Sequence, residues 1–363
     1  MFRIQTYVLT RTMAGVLASL SVVAAVVSLV DFVELSRSVG AKADAGFLTL
    51  IGLVALEAPS VLLVLAPFVF LFGGMGAFVA LNRRNELIAM RAAGVSAWRF
   101  VLPAAAAAAM VGVLAVCVLN PAAAQMMAAY QDRRAELDEG AGVGRGDLWL
   151  RQGDGARQTV IHARAHDSEG GAIALHGVSM FVEETAPDGA LRFRRRIDAR
   201  RAILTPGYWR LSGVREVAPG EGAIASEQLS MPSTLDRRTA MEKFVPAGAV
   251  SFWDLADTIR SARAAGYSAT AYQLRQQQLF ALPLLLAAMT VLAASFCLRL
   301  NRLGDLALLA ASGIALGFGF FFLNQFCGAL GSTGVIPIGL AAWAPPLLAL
   351  LAGLTLLTWT EDG

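Results

Sequence analysis

Leu279-Phe280-Ala281-Leu282-Pro283-Leu284-Leu285-Leu286-Ala287-Ala288-Met289-Thr290-Val291-Leu292-Ala293-Ala294-Ser295-Phe296-Cys297-Leu298 is a run of twenty residues without a single charge. A bilayer core of about 30 Å needs about 20 apolar helical residues, because hydrocarbon offers no partner to an open backbone N–H or C=O. The run therefore reads as a membrane span. Five more segments pass the same test, at 12–33, 47–81, 100–119, 304–327 and 335–359. Composition agrees: 56% of the 363 residues are hydrophobic, 16% are charged, and mean hydropathy is +0.58. Soluble chains carry nearer 25% charge, so a simple soluble enzyme is excluded.

The charges are unevenly spread. Residues 120–278 hold 20 of the 30 Lys+Arg and 19 of the 27 Asp+Glu. The chain thus divides into three spans (1–119), a polar insert (120–278) and three more spans (279–363). The second apolar segment exceeds one crossing and carries Pro59 and Pro67, which predicts an interfacial piece followed by a kinked span. Glu57 then lies near the headgroups. In the insert the period changes from helical to two. Leu191, Phe193, Ile197 and Ala199 alternate with Arg192, Arg194, Arg196, Asp198 and Arg200, which predicts a strand with one buried and one wet face. Similar runs occur at 147–151, 158–164, 172–183, 208–217 and 226–231. Asp154-Gly155, Asp188-Gly189 and Pro206-Gly207 separate them as turns. The fold class is therefore an α-helical polytopic membrane protein, three spans plus three, with an inserted all-β, sandwich or jellyroll-like domain. Residues 120–140 and 250–278 read as its helical connectors.

Orientation follows from Lys and Arg in the short loops. Arg3, Arg11, Arg83, Arg84, Arg91, Arg99, Arg299 and Arg302 fall on one side, against only Arg37 and Lys42 on the other. Both termini are expected in the cytoplasm, with the β domain across the membrane.

Much chemistry is missing from the sequence. The only lysines, Lys42 and Lys243, do not follow glycine, so no P-loop is present. There is neither a Gly-x-Ser-x-Gly elbow nor a His-Glu-x-x-His helix. His162 and His166 share a strand face, yet no third ligand lies nearby, and we read them as polar-face residues rather than a metal site. Cys117, Cys297 and Cys327 sit in apolar runs as small core hydrophobes. The arginines form no nucleic-acid-binding pattern. Neither catalysis nor a cofactor in this chain is expected.

The most specific local signal is Asn82-Arg83-Arg84-Asn85-Glu86-Leu87-Ile88-Ala89-Met90-Arg91-Ala92-Ala93-Gly94-Val95-Ser96. It predicts a short helix at about 84–94, with Leu87, Met90 and Arg91 on one side and Gly94 at the position that ends it. Such a helix between two spans is suited to docking on a soluble partner: Glu86 and Arg91 to opposite charges, Leu87 and Met90 to a groove.

Residues 85–96 closely resemble the coupling-helix motif of the lipopolysaccharide-export permeases, the LptF/LptG (YjgP/YjgQ) family. Asp31-Phe32-Val33-Glu34-Leu35 through Gly40, Trp209-Arg210-Leu211, Tyr272-Gln273-Leu274 and Phe322-Leu323-Asn324-Gln325 resemble further family blocks. The Asp31–Leu35 block is most similar to the LptG branch. The resemblance implies a half-transporter in the Gram-negative inner membrane, paired with a sister permease, LptF. A cytoplasmic ATPase dimer, LptB, using ATP and Mg, receives the coupling helix, with Glu86 and Arg91 as coupling residues. Lipopolysaccharide leaves the lumen toward the periplasmic bridge proteins LptC and LptA. The resemblance also implies a cationic rim for the lipid A phosphates, which Arg37, Lys42, Arg133 and Arg134 are placed to supply. It implies lateral gates at spans one and five, where Gly313, Gly317, Phe318, Phe320, Phe321 and Phe322 lie. It departs at Asp31, where LptG relatives carry a lysine. The alternatives from the residues alone are a membrane-anchored scaffold and an ion-driven transporter; the latter needs ionisable groups deep in its spans, whereas here they fall at span ends.

Overall fold

The computed structural model describes residues 2–40, 46–139, 148–153, 157–169, 172–185, 191–220, 222–233, 247–264, 268–300 and 306–362. Lys42, Arg302 and the turns Asp154-Gly155 and Asp188-Gly189 lie outside these residues, as does the side chain of His166. Among the described residues, six helices are long and apolar enough to cross a membrane. In chain order the helices are α1 (Phe2–Leu35), α2 (Phe47–Arg83), α3 (Glu86–Ala92), α4 (Ala97–Leu114), α5 (Asn120–Glu139), α6 (Phe252–Ala264), α7 (Thr270–Leu300), α8 (Leu306–Ser332) and α9 (Ile338–Asp362). The inserted strands are β1 (Leu148–Gly153), β2 (Arg157–Glu169), β3 (Ala172–Thr185), β4 (Leu191–Thr205), β5 (Tyr208–Val217) and β6 (Ile224–Pro232).

Two helices run longer than expected. α2 keeps Pro59 and Pro67 within one unbroken helix of 37 residues, so it does not divide into an interfacial piece and a span. In apolar surroundings a proline forfeits one hydrogen bond, whereas ending the helix would orphan several backbone groups. α4 passes through a π-helical turn, Ala115–Leu119, straight into α5. That turn is docked by α6: Trp253 Nε1 donates to the Cys117 carbonyl at 3.2 Å, and the Asn120 side-chain oxygen accepts the Phe252 N–H at 2.8 Å.

α7 is the most buried span and the hub of the bundle. Without a hydrophobic driving force between helices in lipid, close approach depends on small residues. Gly74 of α2 meets Ala293 of α7, Gly112 of α4 meets Pro283 of α7, and Gly353 of α9 meets Leu292 of α7. Ser295 Oγ, donating to the Gly353 carbonyl at 2.9 Å, adds a hydrogen bond across the last crossing. Cys297 is buried in this core.

The strands form one antiparallel sheet in the order β1-β2-β3-β4-β5-β6. An inserted all-β domain is as expected, and among the described residues each strand pairs with its sequence neighbours. Its buried positions change parity across the row Arg164, Gly177, Arg200, Gly213. Leu175 and Val178, Ala199 and Ala202, and Leu211 and Val214 are buried three residues apart across that row. Gly177 (φ +61°) and Gly213 (φ +63°) take a conformation that a Cβ disfavours, and the stems of Arg164 and Arg200 cross them. The row creases the sheet. The Gln152 side chain links the edges: its nitrogen donates to the Pro232 carbonyl at 3.2 Å, and its oxygen accepts from Ser233 Oγ at 2.8 Å and Trp209 Nε1 at 3.1 Å. Trp209 is wholly buried.

Phe193 departs from the expected alternation. The β3–β4 register slips between Val182 and Glu183, leaving Arg194 as an extra residue, and Phe193 turns outward at 47% exposure. Gly213→Ala should destabilise the β domain by about 1–2 kcal/mol, the cost of a left-handed L-residue. Faster limited proteolysis of the strands, with unchanged helical content, is the expected readout.

Candidate functional site

α2 ends two residues before Asn85, which has φ +57°, the one positive value among described non-glycine residues. Asparagine tolerates this left-handed conformation better than most residues. It reverses the chain and starts α3 at Glu86. Gly94 (φ +77°) closes α3 with paired bonds, Val95 N–H to Met90 C=O at 3.0 Å and Gly94 N–H to Arg91 C=O at 2.9 Å. This is the glycine-terminated cap expected from the sequence.

Leu87 is 1% exposed and belongs to the helical core, with Met90, Val95 and Trp98 packed around the same cluster. The expected outward role for Leu87 is therefore corrected: it anchors α3 to its own bundle rather than filling a partner's groove. Ile88, at 57% exposure, is the outward apolar residue that sequence reasoning passed over. Arg91 is exposed along its stem, and its Nη2 donates to the Thr360 carbonyl at 3.0 Å, joining α3 to the end of α9. A cation there also suits the negative end of that helix. Glu86 Oε2 is buried without a hydrogen-bond partner among the described residues. A carboxylate oxygen in that state is costly until a donor reaches it.

At the other end of the bundle, Leu35, Leu50, Leu53, Val54 and Tyr130 pack together, tying the ends of α1 and α2 to α5. Arg134 Nη1 donates to the Tyr130 hydroxyl at 2.9 Å, and Glu57 also hydrogen-bonds that hydroxyl. Arg133 is exposed and reaches over Gly52. Arg37 is exposed on a π-helical turn, Ser36–Gly40, that follows α1. Asp31 Oδ2 is buried with no hydrogen-bond partner among the described residues. The structure thus gathers Arg37, Arg133 and Arg134 at one end, with Arg134 tethered and Arg133 the freer to reach a ligand.

Gly313 and Gly317 do not form an open seam. A Cβ on Gly313 would meet Met75, and one on Gly317 would meet Phe72, Leu71 and Phe68, all on α2 of the same chain. Phe321 packs against Phe68 at 5.9 Å, and Phe320 is buried. Phe318, Phe322 and Phe326 remain exposed at 60–68% and face outward. The small-residue face is an internal contact, while the phenylalanines leave an apolar outer face.

The His162 ring packs at a tilt against Trp149 at 4.4 Å, and no cluster of three metal-ligand residues occurs among the described residues. Sequence reasoning also missed Arg275, in a segment read only as a connector. Its signal was the glutamine run Gln276-Gln277-Gln278 with Asn324-Gln325 in span five.

A bundle of six spans, interrupted after the third by a β domain and carrying a short, tightly capped helix between the second and third, defines a multi-pass membrane protein. The chain belongs to the lipopolysaccharide export system permease family LptF/LptG, whose family model matches residues 6–359. It is similar to the lipopolysaccharide export system permease protein LptG of Escherichia coli K12, with 24% identity over 314 residues that cover 83% of each chain. LptG of Escherichia coli O6:H1 strain CFT073 gives the same figures.

Proposed function

We propose that the chain is an LptG-type permease half of an ATP-binding-cassette exporter that extracts lipopolysaccharide from the inner membrane and passes it to a periplasmic bridge. α3 is its coupling helix. The observation that carries this reading is the state of Glu86: an unsatisfied buried oxygen at the start of a helix locked by Leu87 and the Gly94 cap. A cationic side chain of a cytoplasmic ATPase, LptB, satisfies it, and Ile88 supplies the outward apolar contact. The ATPase binds ATP and Mg; this chain relays its closure through α3 to α2 and α4. LptF completes the lumen, while LptC and LptA accept the lipid beyond the β domain. Arg37, Arg133 and Arg134 meet the lipid phosphates at the rim, Arg133 most directly, since arginine clasps phosphate through two donors. Lys42, which follows α1 in the sequence, has the same role.

The termini and α3 then face the cytoplasm. An Ile88→Cys variant in sealed inverted vesicles is expected to react with an impermeant maleimide, and in right-side-out spheroplasts to stay unlabelled. The opposite pattern places α3 beyond the reach of any cytoplasmic motor and overturns the reading. Copurification of LptB with the wild-type chain is the second expected result.

A further inference from the structure

Arg275 is half-buried in a membrane helix, and its Nε is buried with no hydrogen-bond partner among the described residues. It faces a cavity of about 190 Å³ between α2, α7, α8 and α9. Gln278, Asn324 and Gln325 line the same cavity, and among the described residues no carboxylate does; the other walls are apolar, including Leu63, Val64, Leu282 and Leu285. One charge with several amide donors and no internal counter-ion makes a site for an anion rich in acceptor oxygens. Leaving such a cation unpaired in low dielectric is expensive, so an anion bound there gains a charge-assisted, forked hydrogen bond.

The level of the site decides which anion. Arg275 is in the second turn of α7, and Asn324 and Gln325 precede the end of α8 by about two turns. Both ends lie on the side of the bundle that leads to the β domain. That depth matches the boundary between headgroups and acyl chains, and the leucine and valine walls continue inward from the polar floor.

We propose that the Arg275 cavity is a binding site for the phosphate of a membrane lipid, its acyl chains lying along α2 and α7. The site is separate from the Arg133–Arg134 rim, and its test does not depend on transport. Free phosphate shares the chemistry, but the apolar walls favour the lipid source.

The test is native mass spectrometry of the full-length chain, titrated with phosphatidic acid, with diacylglycerol, and with inorganic phosphate as competitor. Wild type is expected to retain phosphatidic acid, to bind diacylglycerol at least about tenfold more weakly, and to keep its lipid in millimolar inorganic phosphate. Arg275→Gln should weaken phosphatidic acid retention about tenfold or more, the loss expected when a hydrogen bond to a charged group goes. Arg275→Lys should recover most of it, and Arg260→Gln, on the exposed face of α6, should match wild type. Equal retention by folded Arg275→Gln overturns the proposal, as does equal binding of diacylglycerol by wild type. Displacement by inorganic phosphate overturns the lipid assignment. Should Arg275→Gln fail to fold, the wild-type comparison of the two lipids decides alone.

Discussion

Glu86→Lys is expected to reduce lipopolysaccharide-stimulated ATP hydrolysis by the assembled exporter at least about thirtyfold, and to release LptB from the purified chain. The factor follows from losing a desolvated charge pair, which costs about 2–5 kcal/mol at an interface. Here the loss is compounded, because lysine would place a second cation against the ATPase's own. The fold should survive. Glu86 stands in the first turn of α3, where a negative side chain gains only about 0.3–1 kcal/mol from the helix dipole. Leu87 and the Gly94 cap, which hold the helix, are untouched. Glu86→Gln separates charge from shape: it keeps a buried acceptor and should retain part of the complex. ATPase copurification and turnover, measured beside thermal unfolding of the same preparations, read the prediction. An intact, fully active complex with lysine at this position would remove Glu86 from the coupling mechanism.

The sequence disclosed most clearly what depends on local rules. Twenty apolar residues in a row mean a span whatever surrounds them, and Gly94 ends α3 because its own backbone geometry demands a glycine. The helix at 86–92 and its boundaries were legible for that reason. What stayed hidden depends on contacts far apart in the chain. Leu87 has the same chemistry whether it faces a partner or its own core, and only the packing of α3 against the bundle decides. Gly313 and Gly317 carry the small-residue spacing, but spacing does not say which helix fills the groove; α2 of the same chain does. Phe193 was misplaced because one extra residue, Arg194, reverses the faces of a period-two pattern. Arg275 was passed over since its meaning comes from Asn324 and Gln325, half a hundred residues away, arriving at one cavity. Each of these is settled by tertiary register, which periodicity cannot encode.

The second large effect is expected at the crossing of α1 and α2, the pair whose tight approach holds the most exposed span in place. Here backbone touches backbone. A Cβ built on Gly73 would lie 2.5 Å from Val16 Cα and 2.8 Å from the Gly15 carbonyl oxygen, and one on Gly15 would collide with the Gly73 carbonyl oxygen. No rotamer change relieves such a clash, since the obstructing atoms are themselves in a helix. Gly73→Leu must therefore push α1 away from α2 along the whole contact. α1 is the least buried of the spans, and further contacts, the Gln5 side chain on the Arg99 carbonyl and Leu35 against α2 and α5, lie toward its two ends. The cost should reach or exceed the upper range for overpacking, about 3 kcal/mol. Separation also reshapes the groove of about 620 Å³ between these helices, which Tyr7 and Arg11 of α1, Phe72 and Ala80 of α2, and Arg84 just beyond it help to line. Gly76→Ala supplies the control on the same helix: a Cβ there meets nothing within 4 Å and should leave the protein unchanged. Thermal unfolding in detergent, together with disulfide trapping of a cysteine pair placed across the α1–α2 crossing, measures both consequences. Gly73→Leu should melt earlier and trap poorly, and Gly76→Ala should match wild type on both. Equal trapping in the leucine variant would mean that the two helices tolerate a wider crossing, and that α1 is held by something other than this contact.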